Sequence, residues 1–200
     1  MRIGILGTGR LGSALALRMV RTGHQVVLAN RRGPESLSRL MGQLGPGARA
    51  GSVAEVAAQD VIVLAVRWED AGEAIASLGS LKGKIVIDTT NPYMEKDGHI
   101  SLIDIGDKTS SEVIAGMLPG VHVVKAFNTL LADMLGSNPG KGGGRRVIFY
   151  SGDDPTAKAT VKSIIATSGW ASVDLGSLVQ GGRLQQAGGS LAGLNLVQFT

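Results

Sequence analysis

The stretch Arg2-Ile3-Gly4-Ile5-Leu6-Gly7-Thr8-Gly9-Arg10-Leu11-Gly12 decides the fold. Its first five residues form a short apolar run that ends in glycine, as a buried strand does. Residues 10–22 place Leu11, Ala14, Leu15, Leu17 and Val20 along a mostly apolar helix, which Gly23 stops. A second strand, residues 25–29, comes next. Strand, glycine turn, helix and strand form the context in which Gly-x-Gly-x-x-Gly reads as a dinucleotide fingerprint. Gly7 permits the tight turn, Gly9 leaves the backbone open to a pyrophosphate, and Gly12 lets helix and strand pack closely. The helix N-terminus offers free N–H groups and a positive dipole end to the phosphates.

The same alternation runs outward from this unit. Short strands are expected at residues 48–50, 60–66, 84–88, 121–126, 146–150 and 170–174. Between them, helices are expected near residues 34–44, 53–58, 69–78, 110–117, 130–135 and 155–168. Pro34 stands at a helix N1 position, and Ser52 with Glu55 makes a capping box. Residues 89–107, with Asn91-Pro92 and Asp97-Gly98, read as a long irregular connection, and residues 136–144 as a flexible loop. Strands separated by helices imply right-handed βαβ units. The fold class is α/β, a Rossmann-type doubly wound and mostly parallel sheet with a small C-terminal α/β extension. The alternation first breaks near Phe127. The expected organisation is therefore a dinucleotide-binding domain over residues 1–127 and an extension over residues 128–200 that completes the substrate site.

Composition excludes several function classes. Thirty glycines in 200 residues is about twice the usual ~7% share. There is no Gly-X-Y period, and 44% hydrophobic against 18% charged residues supports a packed core rather than disorder. The absence of cysteine removes disulfides, thiolate metal sites and cysteine nucleophiles. No apolar run approaches the ~18 residues of a membrane span, and glycines interrupt the first apolar stretch too early for a signal peptide. The chain reads as cytoplasmic and without a membrane partner. Residues 1–34 hold six arginines and no acid, but these arginines fall on different elements, and the chain has few aromatics for base stacking. A small anionic ligand suits them better than nucleic acid.

The end of the second strand carries the nucleotide preference. NAD sites place a carboxylate there to bond the ribose 2′-hydroxyl. This chain has Ala29-Asn30-Arg31-Arg32-Gly33, with no acid before Glu35. Two guanidiniums stand where a 2′-phosphate would lie, and arginine bonds phosphate bidentately. NADP(H) is the expected cofactor. Ala65-Val66-Arg67-Trp68, Asp88-Thr89-Thr90-Asn91-Pro92 and Lys125-Ala126-Phe127-Asn128-Thr129 end three further strands, at the edge where open α/β sheets bind ligands. Ala65 and Val66 are candidates for the nicotinamide side, with Arg67 beside them. Asn91 is a candidate hydrogen-bonding group for cofactor or substrate, and the Ala126 backbone for the carboxamide.

No catalytic constellation stands out. Residues 136–142 miss a P-loop by one residue, Tyr93 and Lys96 are too close for a Tyr-x-x-x-Lys pair, and no Gly-x-Ser-x-Gly occurs. His24, His99 and His122 are isolated, so no metal ligand set is expected. Chemistry carried by cofactors, with the protein supplying orientation, fits this absence.

Gly7-Thr8-Gly9-Arg10-Leu11-Gly12, Asn30-Arg31-Arg32, Asp88-Thr89-Thr90-Asn91-Pro92 and Val124-Lys125-Ala126-Phe127-Asn128-Thr129 together resemble the NADPH-dependent oxidoreductases related to coenzyme F420 (deazaflavin) reductases. Their distant relatives include the NADPH-binding domains of membrane metalloreductases. The resemblance implies hydride transfer between NADPH and a deazaflavin, flavin or similar small-molecule acceptor. It implies that Thr8, Gly9, Arg10 and Leu11 hold the pyrophosphate, that Asn30, Arg31 and Arg32 hold the 2′-phosphate, and that Ala65, Asn91 and Ala126 line the nicotinamide end. It also places residues 188–195 at the edge of the second-substrate pocket. The alternative is an NADP-binding sensor without turnover. A homodimer would use the sheet face, the C-terminal extension or exchanged loops.

Overall fold

The computed structural model describes residues 1–199. Its centre is one sheet. Strands β1 (Arg2–Leu6), β2 (Gln25–Ala29), β3 (Ala48–Ala50), β4 (Val61–Leu64), β5 (Ile85–Asp88) and, later in the chain, residues His122–Ala126 lie in spatial order β3-β2-β1-β4-β5 and then His122–Ala126, all parallel. β1, β4 and β5 are almost wholly buried, as strands covered on both faces are. Helix α1 (Arg10–Arg21) joins β1 to β2. Helices α2 (Ser38–Leu44), α3 (Val53–Ala57) and α4 (Ala71–Ser77) follow β2, β3 and β4, with short 3₁₀ turns at Pro34–Leu37 and Trp68–Asp70. α3 starts at the expected capping box: the Ser52 hydroxyl accepts from the Glu55 amide, and the Glu55 carboxylate accepts from the Ser52 amide.

Residues 89–107 depart from the irregular connection expected of them. They contain an antiparallel hairpin of β6 (Tyr93–Lys96) and β7 (His99–Leu102), turned at Asp97 and Gly98. Both turn residues have positive φ (51° and 77°), the conformation for which Asp-Gly is favoured in two-residue hairpins. Every residue of the two strands is exposed, so there is no buried face to impose an apolar-polar period. Helix α5 (Ser110–Gly116), capped by Thr109 and Glu112, then leads into β8 (His122–Ala126).

Beyond residue 127 the chain adds to the same sheet. Helix α6 (Ala132–Gly136) packs on α1, and a two-residue strand β9 (Gly140–Lys141) turns into β10 (Gly144–Gly152). A short strand thus lies inside the loop expected at residues 136–144. β10 runs antiparallel to β8, with Tyr150 opposite Ala126. Helix α7 (Pro155–Thr167) crosses back to β11 (Ala171–Asp174), which is parallel to β10. Helix α8 (Leu178–Gln185) returns the chain toward the C-terminal ends of β5 and β8, and β12 (Val197–Gln198) pairs with the start of β10. The core spans both sides of residue 127, uniting Ile3, Ile5, Leu15 and Met19 with Ile148, Val161, Ile164 and Trp170.

The tightest packing is backbone on backbone. A methyl group at Gly4 would lie 2.5 Å from the Val56 carbonyl oxygen and 2.9 Å from its Cγ1, so α3 rests directly on β1. Overpacking such a contact costs about 1–3 kcal/mol. Gly4→Ala is expected to lower the thermal midpoint by several degrees; an unchanged midpoint would mean that α3 yields freely.

Candidate cofactor site

Gly7 has φ +104°, and a side chain there would overlap the Ala65 carbonyl group. A side chain at Gly12 would overlap the Gly7 carbonyl oxygen and lie 3.3 Å from the Ala65 Cβ. The turn is therefore pressed between α1 and the end of β4, fastened by Gly7 N–H to Ala29 O (2.9 Å) and Ala65 N–H to Leu6 O (2.8 Å). Gly9 differs: nothing lies within 4 Å of where its Cβ would be. It is the N-cap of α1, no side chain caps that helix, and its first turn holds no acid. The N-terminal amides and the positive end of the dipole are left free to meet an anion.

The loop after β2 is held in advance. The Asn30 amide group donates to Thr8 Oγ1 (2.9 Å), tying this loop to the glycine turn, and Asn30 Oδ1 accepts from the Arg32 amide (2.8 Å). Ser36 Oγ donates to Gly33 O (2.7 Å) and closes the loop. The two arginines then part company. Arg31 Nη1 lies 3.3 Å from Asp70 and 3.8 Å from Glu73, across the mouth between the ends of β2 and β4. Arg67 reaches the same Asp70 from the other side, at 2.9 Å, and Glu69 at 2.7 Å. Arg32 is exposed and has no ion-pair partner among the described residues. Asp70 is invisible as a neighbour of Arg31 in the sequence, because it arrives from the turn that follows β4. Its i, i+3 spacing from Arg67 was the available signal.

Toward the middle of the sheet the candidates meet again. Gly7, Gly12, Ala65 and Val66 converge at the ends of β1 and β4. The Asn91 amide group donates to Asn128 O (2.9 Å), and its oxygen accepts from Asn128 Nδ2 (3.1 Å) and from the Ala187 amide (3.0 Å). One amide hydrogen of Asn91 remains. Ala126 is fully buried at the end of β8, opposite Tyr150 of β10. Arg10 is paired with Asp133 at 3.1 Å on the exposed surface. Trp68, half-buried, leans on the apolar cluster around Ile75.

Beneath these groups lies a buried ion pair. Lys125 Nζ donates to Asp88 Oδ2 (3.0 Å) and to Thr90 O (2.6 Å), and both side chains are fully buried. Burial draws the Lys125 pKa below the ordinary lysine value, and Asp88 opposes that shift. Asp88 and Lys125 are register partners on neighbouring strands. That adjacency was the missing signal.

The family model described as NADP oxidoreductase, coenzyme F420-dependent, matches residues 2–92. The F420-dependent NADP reductase of Methanothermobacter marburgensis is 32% identical over 158 residues, covering 68% of this chain and 66% of that protein. The chain belongs to this family of NADP-dependent oxidoreductases. The family match covers the glycine turn, the Asn30–Arg32 loop and the end of β5. Metalloreductase STEAP3 of Rattus norvegicus is also 32% identical, over 178 residues. That match takes in 88% of this chain but 34% of the metalloreductase, so the chain spans about a third of that relative. A crystal structure of the hypothetical protein SMa0349 from Sinorhizobium meliloti superposes with a TM-score of 0.93 at 37% identity, covering 99% of this chain and 96% of that one. The sheet with its reversed C-terminal strands is therefore shared over nearly the full length. Among the described residues no helix is long and apolar enough to cross a membrane, and no cluster of potential metal ligands occurs.

Because Arg31 must leave Asp70 to reach a phosphate while Arg32 is free, the two arginines are expected to contribute unequally. A charge-assisted hydrogen bond is worth about 1.5–3 kcal/mol. Calorimetric titration is expected to show that Arg32→Ala weakens NADPH more than Arg31→Ala does, that the double variant weakens it most, and that NADH affinity barely changes. Equal loss for both cofactors would remove the 2′-phosphate from this loop.

Proposed function

We propose that this chain binds NADPH across the C-terminal edge of its sheet and moves hydride between the nicotinamide and a planar acceptor of the deazaflavin or flavin type. The observation that carries the reading is the pairing of two features. One is an uncapped, acid-free helix N-terminus with open space at Gly9; the other is an unpaired Arg32 at the end of β2, with no carboxylate of its own loop beside it. Together they match the pyrophosphate and 2′-phosphate positions of a dinucleotide site.

In this reading the amides of Gly9, Arg10 and Leu11 hold the pyrophosphate, and Thr8 fixes the turn through Asn30. Asn30, Arg31 and Arg32 hold the adenosine end. Ala65, Val66, Asn91 and the Ala126 backbone flank the nicotinamide, with Arg67 at the rim. When bound, the nicotinamide supplies the hydride, and the chain needs no proton donor of its own for transfer to a ring acceptor. Its residues contribute placement, which lowers the barrier for a reaction between two stacked rings.

Residues 128–199 form the acceptor side. From α8 the chain passes Asn91 through the Ala187 amide and Thr129 through the Gly193 amide (2.9 Å). It ends against β10, where Arg146 donates to Asn195 Oδ1 (2.8 Å) and the Val147 amide to Leu196 O (2.9 Å). The similarity to the F420-dependent Methanothermobacter enzyme favours a deazaflavin. NADPH oxidation followed at 340 nm, with reduced product identified for deazaflavin, FMN, FAD and a ferric chelate added with each flavin, tests the reading. Turnover is expected with at least one ring acceptor. Tight NADPH binding with no turnover on any of them would make the chain a sensor module instead.

A further inference from the structure

We infer that the buried Asp88–Lys125 pair positions the nicotinamide end of the site, acting through Thr90 and Asn91 on one side and Asn128 on the other; this rests on the proposed placement of NADPH. The pair is unlike every other ion pair among the described residues. Each of the others has at least one well-exposed partner, whereas Asp88 and Lys125 are both sealed from water. Taking two charges out of water is expensive, and apolar residues of similar volume serve stability as well or better. What the pair supplies that apolar residues do not is direction.

That direction is specific. Asp88 Oδ1 accepts from the Thr90 amide (2.8 Å) and the Thr90 hydroxyl (2.7 Å), while Oδ2 accepts from Ser111 Oγ (2.9 Å) and Lys125 Nζ. Four donors fill the carboxylate. Lys125 then donates to the Thr90 carbonyl. The amide, carbonyl and hydroxyl of Thr90 are all spoken for by the two charged groups. Thr89 on its other side is fastened to Leu64 O by its hydroxyl (2.9 Å), so the turn leaving β5 is pinned to β4 as well. Asn91 follows directly, and its side chain holds Asn128. Asn128 Nδ2 in turn donates to Gln185 O (2.6 Å), and Gln185 Nε2 donates to Lys125 O (3.3 Å) and Ser151 Oγ (2.8 Å). The network closes on itself, linking β5, α5, β8, β10 and α8.

Backbone geometry points the same way. Phe127, between Lys125 and Asn128, has φ +63°, a left-handed conformation that a bulky side chain adopts only when its surroundings enforce it. The enforcing contacts are the Phe127 ring, fully buried against Trp170 at 5.4 Å between centroids, and the Asn91–Asn128 bonds that follow it. The strand ends on both flanks of the expected nicotinamide position are thus held by the network that the buried pair anchors, together with the Phe127–Trp170 contact.

The test separates positioning from stability and from turnover. The double variant Asp88→Leu/Lys125→Met replaces the pair by apolar groups of similar size. It is expected to lower the thermal midpoint, because the Thr90 amide and hydroxyl and the Ser111 hydroxyl lose their acceptor, but to keep an NADPH Kd within about twofold, since the phosphate-binding ends are untouched. The fluorescence of bound NADPH is expected to move from that of a held nicotinamide toward that of the free cofactor. With the acceptor that the unaltered chain uses, kcat is expected to fall about ten- to hundredfold at constant KM for NADPH, the scale of a small misplacement of reacting groups. If that variant does not fold, Thr90→Val removes one hydroxyl donor and keeps the shape, and a smaller change in the same two readouts is expected. Unaltered emission and kcat in a folded variant would overturn the inference and reduce the pair to a structural one. Emission identical to free NADPH in the unaltered chain would overturn it too. A chain that perturbs NADPH emission yet turns over no acceptor would refute the proposed function alone, leaving the emission readout to judge this inference.

Discussion

Everything in this molecule hangs on how closely three backbones approach at the end of β1. At residues 4, 7 and 12 there is no space for a single methyl group, because the carbonyls of Val56, Ala65 and Gly7 occupy it. Such contact draws α3 onto β1, α1 onto its own turn, and the turn onto β4. The N-terminus of α1 is consequently fixed over the middle of the sheet edge, and Gly9, the one turn glycine facing open space, is presented outward. A packed interior resists deformation, so the uncapped N-terminal end of α1 is held rigidly by the packing beneath it.

The part of the fold that was legible in the sequence is the part whose side chains are buried. β1, β4 and β5 are short apolar runs, and the Ser52–Glu55 capping box is local chemistry that reads directly. The β6–β7 hairpin was not drawn although its Asp-Gly turn was recognised. With Tyr93, Ile100 and Leu102 all exposed, burial wrote no period into it. At the site, the glycine turn and the Asn30–Arg32 loop were legible because each is contiguous. Asp70 beside Arg31 and Asp88 beside Lys125 were not, since each pair is assembled from segments distant in the sequence, the first across β1 and the second across neighbouring strands.

The two ends of the site handle charge in opposite ways. Around Arg31 and Arg67 the ion pairs are exposed and shared among Asp70, Glu69 and Glu73, an arrangement worth little individually and easily exchanged for another anion. Around Lys125 the charges are dry and saturated with donors, and exchange nothing. In the proposed function, the first arrangement would suit a surface that admits a phosphate, and the second a wall that holds still beside the nicotinamide.

The reversal of β10 has a consequence of its own. A seventh strand running with the others would have ended at the ligand edge and stopped there. Because β10 and β11 run the other way, the chain climbs back along α8 and crosses that edge as the segment from Ala187 to Leu196, held by single hydrogen bonds at Asn91, Thr129, Arg146 and Val147. Segments fastened in this way open at a far lower free energy than a packed core. One face of the candidate site is thus set by close backbone packing around the glycine turn, and the face across from it by a segment tied at single points.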